Sequence, residues 1–118
     1  MFDFAVSVTV VDDVIVLAGD LDARSTAVVR EVLYEALIRH PRVVVDLAGV
    51  ENVDVVALRV LAMATRHAAR RGREVRLREP GPAVRRLLRL TRLARLVQVE
   101  RDTGADTALP AGAVAVPA

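Results

Sequence analysis

The 118-residue chain has no cysteine, no tryptophan and no lysine, and only 3% of it is aromatic. Each absence closes a class. Without cysteine there is no disulfide framework, no zinc-thiolate site and no thiol nucleophile. Two histidines, His40 and His67, are too few for a three-histidine zinc centre. Without lysine a phosphate loop of the G-x-x-x-x-G-K type cannot be built. Neither G-x-S-x-G nor G-x-G-x-x-G occurs. No apolar run approaches the about 20 residues that span a bilayer, so no membrane insertion is expected. The start, Met1-Phe2-Asp3-Phe4, lacks the basic region of a signal peptide, which makes a cytoplasmic protein the expectation.

What is present is apolar and unevenly charged. Hydrophobic residues make up 53% of the chain, and all 17 cationic side chains are arginine. The formal net charge of +2 hides a split. Residues 1–58 carry −6, residues 59–101 carry +10 and the remainder −2. Such asymmetry suits an acidic partner or self-association as a homodimer.

Periodicity orders the chain. Phe4, Val6, Val8 and Val10 alternate as in a half-buried strand. Asp12-Asp13 signals a turn. The continuous run Val14–Ala18 predicts a strand covered on both faces, ended by Gly19. Ser25 is placed to cap a helix whose inner face is Val29, Leu33, Ala36 and Leu37, and which Pro41 stops. Val43–Leu47 is a short β-branched strand, followed by a loop at Gly49. Asp54 caps a second helix, which Gly72 ends. Val75 and Leu77 alternate with arginines as a strand. Pro82 opens a third helix lined by Val84, Leu87, Leu88 and Thr91. Val97 and Val99 form a last short strand.

The reading is therefore α/β, in the order β-β-α-β-α-β-α-β. It predicts a mixed sheet of four to five strands with three or more helices and right-handed crossovers. Residues 1–101 form one domain, and residues 102–118 a mobile tail.

Catalytic material is sparse. His40 sits at a helix end, where imidazole serves terminal carbonyls. His67 lies in an arginine-rich stretch. Neither has a carboxylate or nucleophile beside it in sequence. The carboxylates Asp20, Asp22 and Asp54 fall in strand-to-helix loops, where open α/β sheets place recognition sites. Turn or cap duty and interface duty are compatible for the same residues. No catalytic residue, metal site or cofactor is expected.

These residues resemble a known family. Gly19-Asp20-Leu21-Asp22 followed by Ser25 and Leu33 is similar to the Gly-Glu/Asp-Leu-Asp motif and first helix of STAS domains, the anti-sigma factor antagonists. Val43–Leu47 with Gly49-Val50 and Val53-Asp54 resembles their central strand and phosphorylation loop. Gly81-Pro82-Ala83-Val84-Arg85-Arg86-Leu87-Leu88 resembles the segment that opens their third helix. The match spans residues 4–100 with spacings intact.

The resemblance implies a single STAS-like domain acting as a non-catalytic binding switch. In that family the dephosphorylated domain binds a serine-kinase anti-sigma factor, and phosphorylation of a serine in Asp-Ser-Ser-Gly releases it. Here the motif reads Asp54-Val55-Val56-Ala57. Val55 and Val56 replace the serines, with Val56 at the acceptor position. Neither has a hydroxyl, and no serine or threonine lies between Thr26 and Thr65. The implied partner is an anti-sigma factor of the serine-kinase type, bound without phosphorylation control. Its implied contact set is Asp20, Asp22, Arg24, Ser25, Asp54, Val55, Val56, Ala57, Leu58 and Arg59. A second departure is Arg92, where the family has a helix-ending glycine, so the third helix is expected to run on or end differently.

Two alternatives stand beside this reading. Similar small domains serve as accessory subunits of lipid-transport ATPases or as scaffolds in stress-signalling assemblies. The arginine-rich half also raises nucleic-acid binding. Against it, residues 59–101 have no aromatic side chain for base stacking and no recognised DNA-binding signature.

Overall fold

The computed structural model describes residues 6–100. The expected tail, 102–118, and the start of the expected first strand lie outside the described residues. Strands β1 (Val6–Val11) and β2 (Val14–Leu21) form an antiparallel hairpin. Its turn is Asp12-Asp13, with Asp12 at φ 52°; aspartate tolerates that left-handed region better than most residues. Strands β3 (Arg42–Val53), β4 (Glu74–Arg78) and β5 (Gln98–Val99) continue the sheet in parallel. The spatial order is β1-β2-β3-β4-β5. Helices α1 (Thr26–Arg39), α2 (Val55–Arg70) and α3 (Pro82–Thr91) fill the three crossovers. The element order and the mixed five-stranded sheet match the sequence reading.

Each crossover advances one strand in the same direction. Right-handed connections then lay all three helices side by side on one face of the sheet, with α2 packed between α1 and α3. Burial follows that geometry. Val6, Val8, Ile15, Leu17, Val43, Val45, Leu47, Val75 and Leu77 point under the helices and are buried. Their strand neighbours Ser7, Val14, Val16, Ala18, Val44 and Arg76 are partly or fully exposed. The expectation that β2 is covered on both faces is therefore corrected. Its apolar run is continuous because it holds two populations, one beneath the helices and one on an open sheet face.

Three further differences have local causes. β2 does not end at Gly19 but runs on to Leu21. Gly19 takes φ 91°, and the pairing with β3 slips between Gly19 and Asp20, a bulge that glycine accommodates without Cβ strain. β3 is 12 residues long and includes Gly49, which was expected in a loop. A Cβ on Gly49 would lie 2.8 Å from the Cβ of Ala18, so the residue is small because two backbones meet there. Lastly, α3 stops at Thr91, and Arg92 takes the left-handed conformation at φ 62°. The helix ends where the resemblance puts glycine, but with an arginine adopting glycine's backbone.

Candidate functional site

Parallel strands β2 and β3 end side by side, and the segments leaving them, 20–25 and 51–58, form one continuous surface. The register pairs Asp20 with Asn52 and Leu21 with Val53. The Asn52 amide donates to Asp20 Oδ1 at 2.7 Å. The backbone N–H of Asp54 donates to the Leu21 carbonyl at 3.1 Å. The two strand ends are thus tied by both main chain and side chain.

Asp54 is the keystone of this surface. As expected it caps α2, with Oδ1 accepting the N–H of Ala57 at 2.9 Å. Its other oxygen accepts the N–H of Ala23 at 3.0 Å, 31 residues away in sequence. One carboxylate therefore fixes the start of α2 and the turn that precedes α1.

That turn is a 3-10 segment, Ala23–Ser25, and its cap is Asp22 rather than Ser25. The expected capping role of Ser25 is corrected. Ser25 holds the N-cap position of α1 but makes no cap bond from its side chain. Instead its Oγ accepts the N–H of Asp22 at 3.0 Å and donates to the Asp22 carbonyl at 3.0 Å. Asp22 accepts the N–H of Arg24 at 2.9 Å, and its carboxylate with the Ser25 N–H, opposite the Ser25 hydroxyl on the Asp22 N–H, makes a capping box. The Arg24 guanidinium grips the same carboxylate, with Nη2 2.8 Å from Oδ2. That side-chain bond holds the Asp22 carboxyl below its ordinary value, desolvation opposes it, and the N–H groups of Arg24 and Ser25 add to the lowering.

The sequence-derived contact set divides by burial. Arg24, Val56 and Arg59 are exposed, while Asp20, Asp22, Asp54 and Val55 are half-buried. Val56 keeps 47% of its surface in solvent. Ser25, Ala57 and Leu58 are buried. These three members of the implied contact set lie beneath the surface and anchor its loops. Helical phase explains it, because positions 57 and 58 of α2 join the inner stripe of Leu61, Ala62 and Thr65. Asn52 and Ala23 were missed. Their roles come from the strand register and from a bond across 31 residues, and no local pattern encodes either.

Each carboxylate is occupied with a cap, a turn or an amide. Ser25 Oγ lies within the capping box, and Thr26 Oγ1 donates to the Ala23 carbonyl at 2.9 Å. Among the described residues no group of three or more histidines or carboxylates could hold a metal ion. No helix there is long and apolar enough to cross a membrane. The face includes the half-buried Val55 and exposed Val56 at the start of α2.

Comparison with known proteins places this geometry. The family model described as Mlab, STAS domain, matches residues 4–98. An anti-sigma factor antagonist from Mycobacterium paratuberculosis superposes with a TM-score of 0.62 at 23% identity, over 84% of this chain and 86% of that one. SpoIIAA in its unphosphorylated form gives a TM-score of 0.63 at 16% identity, over 86% and 92%. A serine-to-glutamate variant of RsbS from Moorella thermoacetica gives 0.56 at 28% identity, over 80% and 85%. No curated protein sequence matches.

Proposed function

The chain belongs to the STAS domain family, and from that premise we propose that it is a regulatory binding domain of the anti-sigma factor antagonist kind, constitutively competent for its partner. The partner is an anti-sigma factor of the serine-kinase type, and it docks on the surface made by residues 20–24 and 54–59. One observation carries the reading: the surface has the pinned loop geometry of a docking face but no free hydroxyl. Val55 and Val56 stand where the resemblance puts two serines. Ser25 is buried and Thr26 has its hydroxyl bonded within the turn. Phosphorylation would add about −1.5 to −2 charge at the N-terminus of α2 and change binding there. With valine in place no kinase can do so, and the domain stays in the binding form.

The same observation suits a second reading. A face that cannot be switched also fits a permanent accessory subunit, such as that of a lipid-transport ATPase. Titration of the purified chain with a serine-kinase anti-sigma factor of the same organism, and in parallel with a lipid-transport ATPase subunit, separates the two. Binding of the anti-sigma factor, unchanged by prior incubation with ATP and magnesium, supports the first. Binding of the ATPase subunit alone replaces it with the second.

A further inference from the structure

A groove of about 440 Å³ opens between α3 and β5. Pro80, Pro82, Leu88 and Val99 give it apolar walls, and Arg85 and Arg89, one turn apart on α3, stand among them. Arg85 is held there by its Nε, which donates to the Pro80 carbonyl at 2.9 Å. Helix α3 carries three arginines and no acidic residue. Among the described residues neither Arg85 nor Arg89 forms an ion pair: the pairs present use Arg24, Arg39, Arg76 and Arg78. An apolar cleft with two uncompensated cations selects an occupant that is apolar and acidic at once.

The chain itself supplies one. The last described residue, Glu100, follows Val99 of the groove wall. Its N–H donates to the Leu77 carbonyl at 2.8 Å, and its carboxylate pairs with Arg78 at 2.9 Å. The segment that follows is therefore tethered beside the groove. Residues 101–118 lie outside the described residues, and their sequence has the required chemistry. Asp102 and Asp106 are its only acids, and Leu109 is its largest apolar side chain. Gly104, between the two aspartates, permits a tight reversal. Leu109 stands far enough past Val99, a contour of about 33 Å, for the chain to turn back on itself. Asp102 lies too close to the Glu100 anchor to make that turn, so Asp106 is the acid with the reach.

We propose that residues 105–109 fold back into the groove between α3 and β5, with Leu109 against Val99 and Pro82 and the Asp106 carboxylate between Arg85 and Arg89. Leu88, itself buried, forms the floor beneath them. Guanidinium groups take a carboxylate in a fork geometry, so the pairing gives register as well as attraction. It also offsets the repulsion of two arginines at i, i+4. Leu109 covers Val99, 39% of whose surface is otherwise open. The occupant belongs to the same chain, so docking costs no freedom of a second molecule. A short tether holds it at an effective concentration of the order of millimolar, and a free ligand of the same chemistry has to displace it. The groove shares no residue with the surface at 20–24 and 54–59, and the proposal does not depend on what binds there.

The test is NMR of the full chain, labelled with nitrogen-15. The chain has no cysteine, so Ala111→Cys takes a single nitroxide label. The label is expected to broaden amides within 82–89 and to leave those of 20–24 sharp. Heteronuclear NOE values across 105–109 are expected to match those of the helices. Leu109→Ser leaves the tether and every described residue unchanged, and is expected to cut the broadening within 82–89 several-fold. Arg89 is exposed, so Arg89→Glu leaves the core intact. It is expected to cut the broadening likewise, and adding Asp106→Arg to restore it in part. Equal broadening in the parent and in Leu109→Ser would show a segment that is merely tethered, and would overturn the proposal. So would low NOE values across 105–109, as in a mobile tail. Broadening found only between spin-labelled and isotope-labelled molecules in a mixture would overturn it too, by putting a second copy in the groove.

Discussion

The Asp54 carboxylate joins Ala23 to the start of α2. It accepts the Ala23 N–H at 3.0 Å with one oxygen and the Ala57 N–H at 2.9 Å with the other. Two loops 31 residues apart are thereby tied into one surface, as the proposed docking face requires. Asp54→Ala removes both bonds. A lost cap costs about 1 kcal/mol and the cross-loop bond about as much again, so destabilisation by about 2 kcal/mol is expected in urea unfolding. Asp54→Asn keeps an acceptor and is expected to lose about half as much. An unchanged midpoint for Asp54→Ala would refute the bridging role.

Arg92 holds a left-handed backbone at φ 62° that glycine adopts freely. A non-glycine residue there costs about 1 kcal/mol. Arg92→Gly is expected to stabilise the fold by about 0.5 to 1 kcal/mol, the gain being reduced by the greater freedom of glycine in the unfolded chain. Thermal unfolding followed by circular dichroism checks it, and a lower melting temperature would contradict it.

Gly49 lies where β3 has no room for a side chain against β2. Its missing Cβ would stand 2.8 Å from that of Ala18. Gly49→Ala is expected to cost about 1 to 3 kcal/mol through forced displacement of one strand. Combining it with Ala18→Gly is expected to recover part of the loss. Equal stability of Gly49→Ala and the parent in denaturant would exclude the close approach.

Asp22 gives a pH signature. Its carboxyl is held below the ordinary value, chiefly by the Arg24 side chain. A depressed folded-state value means that the contribution is present above the unfolded aspartate value of about 3.9 and is lost as pH falls through the folded value. Asp22→Asn is therefore expected to lower stability near neutrality, to match the parent well below the folded value, and so to flatten the acid limb between the two. Because the pair faces solvent, the difference is expected to shrink at high salt. Parallel acid limbs for parent and variant would rule out this role.

Much of the fold was legible because periodicity reports burial directly. The inner stripes of α1 and α2, the Pro82 start and the Gly72 stop are all local signals. The length of β3 was not legible, because Gly49 reads as a breaker until its crowded neighbour Ala18 is known. The run Val14–Ala18 misled for a similar reason: inner Ile15 and Leu17 and outer Val14, Val16 and Ala18 look the same when both sets are apolar. At the site, Asp54 was found as a cap because its pattern is local. Its bond to Ala23 and the Asp20–Asn52 tie were invisible, since they depend on which strands become neighbours. The burial of Ala57 and Leu58, both in the implied contact set, follows from helical phase, which turns both inward. The acid-free character of α2 and α3 stood in the sequence from the start.

The most direct test of the central claim measures the affinity of the purified chain for a serine-kinase anti-sigma factor by calorimetry, before and after incubation with ATP and magnesium, with Val56→Glu beside the parent. The account predicts an affinity that incubation leaves unchanged, and a loss of about tenfold or more for Val56→Glu, whose carboxylate introduces charge at the exposed start of α2. Loss of binding by the parent after incubation, or full affinity of Val56→Glu, would contradict it.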